Sequence, residues 1–164
     1  MKSLDTELTI RDFVAGDEVA FRRLNEEWIR RHFVMEPKDE VAFADPQSTI
    51  LSRGGRILFA VQEGEIVGCC ALLAMRPGEF EVAKMAVAEP SRRSGVGRRL
   101  LTQVIEAGRA SGARRLYLET NQKLTAAIRL YESIGFQHIP PERVTPSPYV
   151  RADVYMELEF TTSS

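Results

Sequence analysis

The stretch Arg92-Arg93-Ser94-Gly95-Val96-Gly97 carries the clearest chemistry in the chain. A glycine turn that opens a helix exposes successive main-chain N–H groups, and the first N–H groups of an α-helix have no partner within it. Both sets of donors suit an anion, as does the positive end of the helix dipole. Arg92 and Arg93 add fixed charge and bidentate geometry. An apolar, strand-like run from Phe80 to Val87 leads into the turn, and an amphipathic run from Arg98 to Ala110 leads out. Strand, basic glycine turn and helix together predict a site for a pyrophosphate.

The elements that must position this turn follow from hydrophobic period. Leu8 to Val14 alternates and reads as a strand. Asp17 suits a helix N-cap, and Ala20, Leu24 and Trp28 recur at helical spacing as far as about Phe33. Pro37 fits the first turn of a second helix ending near Ser52, and Gly54-Gly55 breaks the chain. Arg56 to Gln62, Ile66 to Met75 and Glu79 to Ala88 read as a three-stranded meander, its middle strand apolar on both faces as a covered strand should be. After the basic turn come the helix striped by Leu100, Leu101, Val104 and Ile105, a strand from Arg115 to Glu119, and a helix from Lys123 to Ser133 capped by Gly135. A short strand from Phe136 to Ile139, a stiff loop with Pro140, Pro141, Pro146 and Pro148, and a last strand from Tyr149 to Phe160 complete the order, before a polar, frayed tail at Thr161 to Ser164. This order predicts an α/β (α+β) sandwich over a single domain, residues 1–164: a mixed, mostly antiparallel central sheet flanked by helices, and not a doubly wound sheet.

Composition excludes several classes. Of 164 residues 44% are apolar and 27% charged, ordinary for a soluble protein, and no run of about 18 apolar residues suggests a membrane helix. The polar, acidic start lacks the apolar core of a secretory signal. Cys69 and Cys70 are adjacent, so on a strand they point to opposite faces and read as buried packing residues of a reducing cytoplasm. His32 and His138 are too far apart in sequence to suggest a metal site. Net charge is 22 − 23 = −1, yet residues 91–115 hold seven arginines against the single acid Glu106. A basic block in a near-neutral chain suggests a local anionic ligand rather than nucleic acid, the more so because that block has no aromatic residue to stack bases. The pair Gly95 and Gly97 begins a dinucleotide fingerprint, but Leu100 stands where its third glycine belongs, and no Gly-Lys-Ser/Thr follows to make a P-loop.

With these elements in place, the chain resembles the GNAT superfamily, the GCN5-related N-acetyltransferases. The element order matches over essentially the full length. Three motifs carry the likeness: the strand Glu81-Val82-Ala83-Lys84-Met85-Ala86-Val87, the loop Arg92-x-x-Gly95-x-Gly97, and the segment from Asn121 through Ala127-Ile128-Arg129-Leu130-Tyr131-Glu132 to Gly135-Phe136. The resemblance implies an acyl-CoA N-acyltransferase fold in which strands 80–88 and 114–120 splay apart, often with the help of a bulge, so that the pantetheine arm of acetyl-CoA lies between them. It implies that the main chain of Met85, Ala86 and Val87 pairs with pantetheine. Arg92, Arg93, Ser94, Gly95, Val96, Gly97 and Arg98 would hold the pyrophosphate, Asn121 would contact the arm, and Tyr131 would face the thioester sulfur.

Acyl transfer to an amine needs a neutral nucleophile, an oriented thioester, a donor for the developing oxyanion and a proton for the leaving thiolate. Glu81 is the candidate base, in phase with Ala83, Met85 and Val87 if no bulge intervenes, and Glu119 is its rival. Tyr131 is the candidate acid, although Leu124, Ile128 and Tyr131 share a helical face that could simply be core. A main-chain N–H between Met85 and Val87 is the expected oxyanion donor. Asn121 could instead cap the helix that follows it. Glu26, Glu27, Glu36, Asp39 and Glu40 make the acceptor side acidic, which would suit a cationic amine or simply be a solvated face, and Arg151 and Asp153 lie where the last strand could reach the acceptor. The expected protein is a cytoplasmic, metal-free N-acetyltransferase acting on a small-molecule or peptide amine in a ternary complex, with no nucleic-acid or membrane partner and with a homodimer left open. A non-catalytic acyl-CoA sensor of the same fold, and a nucleic-acid binder using the 91–115 block, are the alternatives.

Overall fold

A computed structural model describes residues 7–160 of the chain; the expectations for residues 1–6 and for the tail Thr161–Ser164 lie outside them. Seven strands form one open sheet in the order β1-β2-β3-β4-β5-β7-β6. They are β1 (Thr9–Asp12), β2 (Arg56–Gln62), β3 (Glu65–Ala74), β4 (Glu79–Val87), β5 (Arg115–Thr120), β6 (Gln137–His138) and β7 (Val154–Glu159). The β2-β3-β4 meander is antiparallel, β4 and β5 run parallel, and β7 lies antiparallel between β5 and β6. Helices α1 (Glu18–His32) and α2 (Pro37–Ala44) cover one face; α4 (Val96–Ala110) and α5 (Thr125–Ile134) cover the other, with the short α3 (Pro46–Thr49) between α2 and β2. Among the described residues no helix is long and apolar enough to cross a membrane.

Each face has its own core. Phe21, Leu24 and Ile29 of α1 pack with Phe43, Phe59, Cys69 and Ala71, while Leu100, Leu101 and Val104 of α4 pack with Cys70, Leu72, Val82 and Leu116. Cys69 and Cys70 are free, buried and divided between the two cores, as side chains alternating along a strand must be. Two expected elements are shorter than the sequence suggests. The second helix breaks at Asp45, whose carboxylate caps α3 through Ser48 N–H ahead of Pro46, because a proline ring excludes the residue before it from helical geometry. The last strand begins at Val154 rather than Tyr149, the residues before it being spent on the loop that reaches α2. Asp17 sits at the N-cap of α1 but gives its carboxylate to Arg11 and to Val14 N–H instead of to the helix.

The turn before β2 depends on a bare backbone. A Cβ on Gly55 would lie 2.4 Å from the Leu72 carbonyl oxygen and 2.9 Å from that of Ile50. Gly55→Ala should therefore cost about 1–3 kcal/mol in urea unfolding, as overpacking does, whereas Val19→Ala on the exposed side of α1 should change stability by no more than about 0.5 kcal/mol. Equal effects of the two would contradict this packing.

Candidate active site

The site begins where two strands part. β4 and β5 are paired only at Glu79–Arg115, Phe80–Leu116 and Glu81–Tyr117. Beyond Glu81 their facing edges separate, while β5 continues on β7 as far as Thr120–Val154. A bulge in β4 stands at the same point. Cys69 faces Ala86 and Ala71 faces Ala83, so Lys84 and Met85 together oppose Cys70. Lys84 takes φ +56°, unusual for a residue with a Cβ. The extra residue reverses the alternation: Val82 faces the α4 core before it, whereas Met85 and Val87 face that core after it and Ala86 turns to the α1 core. Glu81 is therefore not in phase with Met85 and Val87. It shares the α1–α2 face with Ala83 and Lys84.

The gap opens into a cleft lined by Glu81, Met85, Asn121 and Tyr131 together with Lys84, Glu119, Tyr149 and Arg151. Burial, and next the nearby Glu119 carboxylate, push the Glu81 carboxyl up to about 7 against a weaker opposing pull from Lys84. Glu119 is fixed by Tyr117, which donates at 2.8 Å, and by Ser147, which donates at 2.6 Å. Tyr131 packs edge-on to Phe136, and its hydroxyl has no hydrogen-bond partner among the described residues. Burial, with a smaller contribution from Cys70, raises its pKa, so the phenol stays protonated and keeps an O–H to donate.

The glycine turn lies beyond the far end of β4. Gly95 is the N-cap of α4 at φ +87° and Arg93 takes φ +71°. Among the described residues nothing accepts from the N–H groups of Arg93, Ser94 or Gly95, and the first N–H groups of α4 are open as in any helix. Such a run of free donors fits a phosphate. The arginines divide their work. Arg92 donates to the Val87 carbonyl at 2.8 Å and to Glu27 at 2.9 Å, bracing the end of β4 against α1. Arg98 donates to Ser133, whereas Arg93 is exposed and has no ion-pair partner among the described residues. Val96 is a core residue.

The structure thus brings Glu81, Met85, Asn121 and Tyr131 to one cleft; Arg92 to Gly97 do not line it. Asn121 donates to the Arg151 carbonyl at 2.7 Å and accepts from Lys123 N–H, so it pins the β5–α5 turn, while the N-cap of α5 is Leu124. Five acidic residues on and beside α1 and α2 are paired: Arg22 holds Glu26 and Glu40, Arg92 holds Glu27, and Arg151 holds Asp39 and Glu36. Asp39 is fully buried; burial raises its pKa, but the bonds from Arg151 and from Glu36 N–H outweigh that and hold it below its ordinary value. Sequence reasoning passed over Lys84 and Tyr149. The available signal was a lysine between the apolar residues Val82, Ala83 and Met85 to Val87.

Comparison with known proteins places this geometry. The model of the acetyltransferase (GNAT) family matches residues 19–136. An uncharacterized N-acetyltransferase of Escherichia coli K12, YjgM, is 34% identical over 94 residues, 55% of this chain and 56% of that protein, so the chain spans a little over half the length of that curated relative. An acetyltransferase of the GNAT family from Staphylococcus aureus Mu50 superposes with a TM-score of 0.83 at 18% identity, covering 93% of this chain and 98% of the other. The acetyltransferase yncA from Salmonella typhimurium, solved with its cofactor acetyl-CoA, superposes with a TM-score of 0.72 at 18% identity over 96% of both chains. These structures share the overall fold of this open sheet flanked by helices. The chain belongs to the GNAT acetyltransferase family.

Proposed function

We propose that residues 1–164 form one cytoplasmic N-acetyltransferase domain that transfers the acetyl group of acetyl-CoA to a primary amine by direct attack in a ternary complex. The observation that carries this reading is the cleft between the parted strands. It holds a carboxyl raised to about 7 and a phenol with no hydrogen-bond partner among the described residues, and the N–H groups of Arg93 to Gly95, likewise without an acceptor among those residues, stand past the end of β4. These residues fit the co-substrate: the turn offers donors for a pyrophosphate, with Arg93 and Arg98 as the cations at hand, and the open edge of β4 offers backbone groups for an extended chain. Bound there, acetyl-CoA supplies an acyl group on a good leaving thiol.

The roles of the residues follow from proton balance. A primary amine has a pKa of roughly 10.4, so presenting it neutral at pH 7 costs about 4–5 kcal/mol at ~1.36 kcal/mol per unit. Glu81 takes that proton, directly or through one water. A carboxyl near 7 is a stronger base than one at the ordinary value and is still half ionised at neutral pH. A main-chain N–H between Met85 and Val87 faces the negative charge that develops on the acyl oxygen. Tyr131 donates its O–H to the departing sulfur. Its raised pKa makes full transfer to a thiolate more uphill than for an ordinary phenol, so the hydrogen bond itself is its larger contribution.

Thiol release from acetyl-CoA, measured against an amine library, tests the reading. With an accepted amine, kcat/KM should rise with pH through about 7 as Glu81 ionises, and Glu81→Gln should lose about 10²–10⁴-fold and with it that limb. An unchanged limb in Glu81→Gln would remove Glu81 as the base. Linkage gives an independent readout. The folded pKa of Glu81 lies above its unfolded value, so its contribution favours folding below about 4.5 and is lost as pH rises through about 7; Glu81→Gln should therefore melt higher than wild type at pH 8 and not at pH 4. Tyr131→Phe should lower kcat by about 10–100-fold, the worth of one hydrogen bond to a charged group, with KM for acetyl-CoA little changed. Full turnover in Tyr131→Phe would assign the leaving group another donor.

A further inference from the structure

The cleft holds a cation that this chemistry does not use. Lys84 stands on the β4 bulge in the left-handed region, and its side chain is only 10% exposed. Its ammonium donates to the Tyr149 hydroxyl at 2.7 Å. It also forms an ion pair with Asp39 Oδ1 at 3.7 Å, longer than a hydrogen bond, and lies over the Tyr149 and Phe43 rings at 4.4 and 5.4 Å from their centroids. Asp39 is already filled by both Nη atoms of Arg151, at 2.8 and 2.6 Å, and by Glu36 N–H. An ammonium has three donors, and among the described residues the Tyr149 hydroxyl is the one acceptor within reach. The charge of Lys84 is thus balanced within the protein, but its remaining donors find no acceptor at hydrogen-bond distance among the described residues and are open to a ligand.

The charges facing the cleft are sorted by place. Glu81 and Glu119 stand on the strands where β4 and β5 part; Lys84 and Arg151 stand at the bulge and on the loop before β7. The guanidinium of Arg151 is spent on Asp39 and Glu36, which leaves Lys84 as the cation with unfilled donors. Glu81 and Lys84 flank Ala83 on the same face of the sheet, within the span of one small molecule. A polyamine would set a second ammonium against Lys84 and Arg151, and a protein N-terminus, whose carboxyl is tied up as an amide, would leave the donors of Lys84 unfilled.

Resting on the acetyltransferase reading, we propose that the acceptor is a small primary amine that also bears a carboxylate, held by Lys84 and Tyr149 while its amine faces Glu81. The wild-type protein discriminates by that group, since a site built to bind a charged acceptor rejects the analogue lacking it.

The test is thiol release from acetyl-CoA with the full chain, using the common amino acids and, for each, the amine in which hydrogen replaces the carboxylate, alongside a polyamine and a peptide with a free N-terminus. At least one amino acid should exceed its matched amine by about tenfold or more in kcat/KM, the effect of a hydrogen bond between charged groups. Lys84→Met should bring that ratio close to one by raising KM for the amino acid, with KM for acetyl-CoA unchanged, and Tyr149→Phe, which removes only a hydroxyl, should do so in part. Matched amines, the polyamine or the peptide serving as well as any amino acid would overturn the proposal, as would a ratio that survives Lys84→Met in a protein that still melts cooperatively. Thiol release with no acceptor of any kind would instead remove the acetyltransferase reading beneath it.

Discussion

The structure depends on a pair of parallel strands that hydrogen-bond for three residues and then separate. A sheet interior ordinarily leaves no backbone donor or acceptor unpaired, because each orphaned group away from water costs free energy. Here β4 is held on its other side by β3, and β5 by β7, so both strands can afford an open edge toward each other. The bulge at Lys84 and Met85 bends β4 at that point and reverses its alternation. One local irregularity thus does three things. It keeps the slot open, turns Met85 and Val87 to the α4 core, and leaves Glu81 and Lys84 together on the α1–α2 face.

The electrostatics follow from the same separation. Removing β5 from the side of β4 makes room for a cleft in which carboxyl groups are shielded from water, so Glu81 is raised by burial first and by Glu119 second. The other charges are closed off in pairs. Asp39 is buried under Arg151, and Arg92 ties the end of β4 to Glu27 of α1. This division leaves few ionisable groups in the cleft free to act on a ligand, and the carboxylates Glu26, Glu27, Glu36, Asp39 and Glu40 are in ion pairs. Those carboxylates hold the helices and the loop before β7 in place.

Much of this arrangement was legible in the sequence, for physical reasons. The meander showed itself because side chains alternate across a sheet, the basic turn because positive φ at Gly95 favours glycine, and the family because its motifs fell on the right elements in the right order. What could not be read depends on tertiary partners. The bulge is carried by a lysine in the left-handed region, not by a glycine, so no residue type announces it, and without it Glu81 is set in the wrong phase. Arg92 reads as a phosphate ligand by its charge, and the bonds of its guanidinium to Val87 and Glu27 depend on tertiary partners that the sequence does not show. Tyr149 and Arg151 read as the start of a strand because they alternate, yet their side chains are used on Lys84 and Asp39.

The claim on which the rest turns is that the open edge of β4 and the free N–H groups of the basic turn form one slot for acetyl-CoA. Amide hydrogen exchange, residue by residue, with and without acetyl-CoA, tests it directly. The expected result is slowed exchange confined to two stretches, Met85 to Val87 and Arg93 to Arg98, with the β1–β2 pairing unchanged. Protection that spares both stretches, or none at a saturating concentration that does shift the melting temperature, would contradict it.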